Sequence, residues 1–154
     1  MFYTELVIKS NLDKLIDVEQ FIDSLMLDFS IKEDYLGIIA TPLLEAVKNA
    51  IVHGNQSNTS KEVTITCQIS NKDITFSVSD EGLGFDFKKF LDEDFDNRTS
   101  KGLTMIELLT TKLEFLNNGS TISYTIDIPI PIQQERPLEA FHSQVKQEQL
   151  KTVF

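Results

Sequence analysis

The sequence predicts an α/β (α+β) two-layer sandwich: a mostly antiparallel mixed sheet covered on one face by three helices. Three observations predict it. Residues 63–69 and 74–78 alternate apolar with hydroxyl-rich side chains, which gives a sheet one apolar and one polar face. Residues 12–26 and 34–53 carry apolar side chains at helical spacing. Asn118-Gly119 separates two short β-like arms, as a hairpin turn does.

Taken in order, residues 2–9 form a first strand with Phe2, Leu6 and Ile8 on one side. Asn11 offers an N-cap to a helix in which Leu12, Leu15, Ile16, Val18, Phe21, Ile22, Leu25 and Met26 recur at helical spacing. The second helical region, 34–53, holds Pro42, which reads as the first residue of a new or kinked segment capped by Thr41. Gly54-Asn55 closes it. Val63, Ile65, Cys67 and Ile69 form the apolar row of one strand, and Ile74, Phe76 and Val78 that of the next, with Asn71-Lys72-Asp73 as the turn. Residues 81–101 read as a loop and 102–111 as a helix. The arms 113–116 and 121–128 complete the sheet, which Pro129 and Pro131 end. A domain over 1–130 and a polar tail over 131–154 follow, the tail either disordered or a short helix striped by Leu138, Phe141 and Val145.

Composition narrows the function. The chain has 154 residues, 41% of them hydrophobic, enough for one ordinary core. Its net charge of −10, with no basic patch, disfavours a nucleic-acid partner. A single cysteine, Cys67, excludes an intrachain disulfide and a cysteine-based zinc site. The N-terminus lacks a secretory pattern, and no apolar run approaches the roughly 20 residues a bilayer requires. The expectation is a soluble, cytoplasmic protein with neither nucleic acid nor membrane as partner.

Three short segments carry chemistry. Glu45, Asn49 and His53 fall at i, i+4, i+8 and share a helical stripe. A carboxylate and an amide carbonyl in line could hold a Mg²⁺–phosphate group and act on an attacking hydroxyl, but alone such a stripe more often is a solvated polar face. Asp80 continues the inward row Ile74, Phe76, Val78, and Gly82 and Gly84 follow it. A carboxylate ending a buried row needs donors: an adenine amino group, or backbone N–H groups of its own turn. Ser100-Lys101-Gly102-Leu103 alone reads first as an ordinary capped helix, and alternatively as one whose free N–H groups take phosphate, with Lys101 and Arg98 adding charge.

In combination these segments resemble a known family. Leu44 to Gly54 is similar to the N box of the gyrase/heat-shock-chaperone/histidine-kinase/MutL ATPase superfamily, above all in its anti-sigma-factor serine kinase branch. Asp80 to Phe85 resembles the first glycine box and Gly102 to Ile106 the second. The resemblance implies the Bergerat-type ATP-binding fold, with ATP and Mg²⁺ as cofactors. It implies Glu45 as general base, Asn49 as Mg²⁺ ligand and Asp80 as adenine acceptor. Gly82, Gly84 and Gly102 would shape the nucleotide loops, and Ser120 or Thr121 would reach adenine through water. It also implies a sigma factor and an anti-anti-sigma (STAS-type) protein as partners, the latter phosphorylated on Ser or Thr, and a homodimer formed through the sheet.

This chain departs from the pattern in four places: at Ser100, at Pro42, which sits close before the catalytic helix turn, in the lid, and in the tail after Pro131, which is not part of the family core. Ser100 stands where the second box has its first glycine. The lid, residues 86–101, is short and holds Asp86, Asp92, Glu93, Asp94 and Asp96. A mobile lid that closes over Mg²⁺–ATP, with Arg98 and Lys101 turned inward, is the expectation. The departures also fit a module of the same fold that binds ATP or a partner without catalysis. A detached histidine-kinase catalytic domain is a third reading, disfavoured by Glu45.

Overall fold

The computed structural model describes residues 1–98 and 100–131. Five strands, β1 (Phe2–Lys9), β2 (Glu62–Ile69), β3 (Asp73–Ser79), β4 (Lys112–Leu116) and β5 (Thr121–Asp127), form one sheet in the order β1-β2-β3-β5-β4. Every pairing is antiparallel, so the sheet is not mixed. Among the described residues there are four α-helices: α1 (Leu15–Asp28), α2 (Leu36–Asn49), α3 (Phe87–Asp92) and α4 (Lys101–Leu109). The tail expected over 131–154, with its stripe of Leu138, Phe141 and Val145, lies beyond the described residues apart from Pro131.

The period-2 rows produce the two layers. Val63, Ile65, Cys67, Ile69, Ile74, Phe76, Val78, Tyr124 and Ile126 are buried. Val18, Ile22 and Leu25 of α1, Ile39, Leu43 and Val47 of α2, and Leu103 and Ile106 of α4 join them in one core. Burial pushes the Cys67 thiol far up, so the thiol is held protonated and inert. On the opposite face Thr75 meets Thr125, Ser77 meets Ser123 and Ser79 meets Thr121, each hydroxyl pair at 2.9 Å. Register therefore follows pattern on both faces, since a one-residue slip would send the apolar rows to the hydroxyl side.

Two features of α2 depart from expectation. Pro42 does not begin a segment; it sits buried inside a continuous helix. An interior proline removes the N–H that would bond to the Ile38 carbonyl, at a cost of about 3 kcal/mol. Burial of Ile39, Leu43, Ala46 and Val47 on the same helix outweighs that cost. Nor does Gly54-Asn55 end the helix through a left-handed glycine. The helix widens into a π-helical segment, Ala50–Gly54, in which Asn55 N donates to the Ala50 carbonyl at 2.8 Å, and the left-handed residues are Gln56 and Ser57, at φ 54° and 55°. The stretch Glu33–Gly54 is also, contrary to expectation, long and apolar enough to cross a membrane, at a mean hydropathy of 1.3. In this fold its apolar face is the one that lies on the sheet.

The lid is not a plain loop. Asp86 caps α3 by accepting from Lys89 N at 3.2 Å, and Phe95–Asn97 form a 3₁₀ turn. Of its apolar side chains, Phe90 is buried, Phe87 half-buried, and Leu91 and Phe95 exposed.

Candidate nucleotide site

A cavity of about 470 Å³ opens between α2, the ends of β3 and β5, and the lid. From α2 and its π-helical extension come Ala46, Asn49, Ala50, His53 and Gly54; from the sheet and its turns come Val78, Asp80, Gly84, Phe115, Ser120 and Ile122. Phe85 lies just before the lid, the lid contributes Asp86, Lys89, Phe90 and Glu93, and the start of α4 contributes Ser100 and Leu103. The volume and the mixture of apolar wall with a few polar groups suit a small-molecule ligand.

Asp80 forms the backbone contact of its own turn and also lines the cavity. Its Oδ1 accepts from Gly82 N at 2.8 Å, closing a local turn, while the rest of the carboxylate faces Gly54 and the cavity. Burial raises the carboxyl above its ordinary range; the Gly82 N–H and the nearby Lys61 charge oppose that shift. Gly54, read as a helix stop, is required for another reason: a Cβ there would overlap the Asp80 carboxylate. Gly84 has φ 85° and passes directly beside the Asn118 carbonyl, a path open only to glycine. Gly82 serves the turn and does not line the cavity.

Asn49 is the second fixed point. Its Nδ2 is buried with no hydrogen-bond partner among the described residues. A buried amide left unpaired costs about 1–3 kcal/mol, which makes Asn49 a candidate ligand-binding group. Which amide atom faces the cavity depends on what binds, and a metal would take Oδ1. Glu45 does not line the cavity wall. It is half-buried one turn back on α2, where a Cβ on Gly102 would fall 2.6 Å from its Oε2 and 3.4 Å from Asn49 Nδ2. Glycine at 102 thus lets the first turn of α4 lie against both side chains. Ser100 caps α4, its Oγ accepting from Leu103 N at 3.4 Å, and so fills a helix role where a glycine was expected.

Three expected contacts are not formed. Lys101 is exposed and does not line the cavity. Thr121 is on the wrong face: it pairs with Ser79, one residue from Asp80, so its hydroxyl belongs to the ladder on the far side of the sheet. Ser120 takes the place on the cavity wall, and its carbonyl accepts from Asp80 N at 3.0 Å. Arg98 is buried and committed elsewhere. It pairs with Glu107 of α4, donates to the Glu93 carbonyl at 3.4 Å and stacks over Phe90 at 4.4 Å. The lysine that does line the cavity is Lys89, one turn into α3. The spacing of Asp86 with Phe87, Phe90 and Leu91 was its sequence signal: a cap followed by a helical stripe.

Comparison with known proteins agrees with this geometry. Residues 8–126, which include all these positions, match the family described as the histidine kinase-like ATPase domain. An anti-sigma F factor of Clostridium perfringens (strain SM101) is 33% identical over 105 residues, 62% of this chain and 74% of that protein. An anti-sigma F factor of Clostridium novyi is 33% identical over 81 residues, 49% of this chain and 57% of its own length, so the chain spans little more than half of that relative. The crystal structure of the RsbU and RsbW domains of Rv1364c from Mycobacterium tuberculosis superposes with a TM-score of 0.57 over 89% of this chain and 34% of that one. Identity there is 13%, and the likeness is one of fold.

Proposed function

Because this chain belongs to the histidine kinase-like ATPase domain family, in the branch that holds the anti-sigma F factors, we propose that it is a cytoplasmic, ATP-dependent regulator that sequesters a sigma factor and phosphorylates a STAS-type anti-anti-sigma protein on Ser or Thr. The observation that carries this reading is one cavity lined by both Asp80 and Asn49, with the Asn49 amide unpartnered. The adenine amino group would donate to Asp80. Asn49 would hold Mg²⁺, whose part is to neutralise phosphate charge. Glu45 would take the proton from the partner's hydroxyl. The N-terminal amides of α4 and Lys89 would meet the phosphates. A homodimer paired through the sheet belongs to the same proposal.

A second reading, binding without catalysis, is favoured by one observation: Arg98, the expected phosphate cation, is held by Glu107 and Phe90. A single-turnover experiment with γ-labelled Mg²⁺–ATP, the chain in excess and an anti-anti-sigma protein present separates the two. The kinase reading expects label on a partner serine or threonine. Label that stays in bound ATP supports the binding module.

Lys89 supplies a further check. Lys89→Ala is expected to weaken ATP binding by on the order of 1 kcal/mol, about fivefold, the size of an exposed charge-assisted contact, and to leave AMP binding unchanged. Titrations with both nucleotides measure it. Equal losses for ATP and AMP would place Lys89 away from the terminal phosphates.

A further inference from the structure

Asn55 is 1% exposed and stands outside the cavity wall, yet it reaches three separate segments. Its Nδ2 donates to Ser10 Oγ at 2.6 Å, just past the end of β1, and to the Glu62 carbonyl at 2.9 Å, where β2 begins. Its Oδ1 accepts from Glu81 N at 2.8 Å. That N–H belongs to the peptide linking Asp80 to Glu81, the same peptide spanned by the turn from Asp80 Oδ1 to Gly82 N. The Glu81 side chain closes the arrangement, its Oε2 accepting from Glu62 N at 2.6 Å.

The amide therefore divides its work by atom. Nδ2 ties together the strand ends, which a purely structural asparagine would do. Oδ1 fixes the plane of the Asp80–Glu81 peptide, and with it the direction of the Asp80 carboxylate. We infer that Asn55 is a positioning residue for base recognition: by holding the Asp80–Glu81 peptide it presents Asp80 to a 6-amino purine and sets the preference for adenine over guanine nucleotides. This rests on the reading of the cavity as an adenine-nucleotide site. A purine with a 6-oxo group has no donor for a carboxylate at that position, so discrimination depends on where the carboxylate is held.

The test compares ATP and GTP dissociation constants and melting temperatures for the full chain and four variants: Asn55→Ala, Asn55→Asp, Ser10→Ala and Asp80→Asn. Asn55→Ala removes the acceptor and is expected to lower the ATP-over-GTP preference about tenfold. Asn55→Asp keeps an acceptor for Glu81 N and is expected to restore the preference to within about threefold of wild type. Ser10→Ala loses only the structural bond; its melting temperature should fall while its preference stays. A folded Asn55→Ala chain with unchanged preference overturns the inference, as does a Ser10→Ala chain that loses preference equally. Should Asn55→Ala not fold, Asn55→Asp decides: preference kept supports the inference, and preference lost overturns it. Wild type that prefers ATP and loses the preference on Asp80→Asn, but not on Asn55→Ala, sinks the Asn55 role alone. Wild type without any preference sinks the adenine reading and the inference together.

Discussion

Replacing Glu45 with Ala is expected to lower phosphoryl transfer by on the order of 10²–10⁴-fold, the span typical of a lost general base. Nucleotide affinity should stay within about threefold of wild type, because Glu45 lies against Gly102 and outside the cavity wall. Alanine is the best helix former, and Glu45 is only half-buried on α2, so the fold should persist. Single-turnover transfer to a partner protein and a separate equilibrium titration measure the two effects. Transfer at the wild-type rate would remove Glu45 from the reaction. Loss of binding along with transfer would make it a binding group instead.

Asp80→Asn is expected to weaken adenine-nucleotide binding by on the order of 1–3 kcal/mol, since a charged acceptor is lost from its donor. A pH dependence follows from the raised carboxyl of the free chain. The bound form needs the carboxylate, so wild-type affinity is full at neutral pH. It falls as pH drops through the raised value, sooner than an ordinary carboxylate near pH 4 would dictate. The asparagine variant should show a flatter profile. For folding the sign is reversed. A carboxyl whose folded value lies above its unfolded one contributes stability below the unfolded value and loses it as pH rises through the folded value. At neutral pH the ionised Asp80 thus opposes folding. The Asp80→Asn chain, whose side-chain oxygen can still accept from Gly82 N, should melt no lower than wild type without nucleotide and gain less from ATP. Thermal melts with and without Mg²⁺–ATP at pH 5 and pH 7.5 read both effects. A variant that binds ATP as well as wild type would end the adenine assignment.

Much of this arrangement was legible because its signals are local. The alternation from Val63 to Val78 fixed which sheet face is apolar, and Asp80 continued the row into the cavity by the same parity. The four-residue spacing of Glu45 and Asn49 placed both beside Gly102. Other features were decided by contacts far apart in sequence. Pro42 reads as a helix start because a proline's local cost says nothing of the core that α2 enters. Of Ser120 and Thr121, the two residues the resemblance offers for adenine, the strand parity disfavours Thr121: Ile122, Tyr124 and Ile126 are the inward row, so Thr121 points outward. Arg98 and Lys101 suggest phosphate contacts by their place at a helix N-terminus, while the packing of Phe90 and Glu107 turns Arg98 away and Lys89 lines the cavity. Asn55 resembled a helix stop because its partners, Ser10, Glu62 and Glu81, come together only once β1, β2 and β3 are paired.

The central claim is that the cavity bounded by Asp80 and Asn49 is an adenine-nucleotide site that works with Mg²⁺. Calorimetric titration of the free chain with ATP, in the presence and absence of Mg²⁺, and with Mg²⁺–GTP, tests it most directly. The account predicts saturable binding of Mg²⁺–ATP, weaker binding of ATP without the metal because Asp86 and Glu93 then face uncompensated phosphate charge, and weaker binding of GTP. No ATP binding at concentrations of about 1 mM, a level that detects interactions of only about −4 kcal/mol, or equal binding of ATP and GTP, would contradict it.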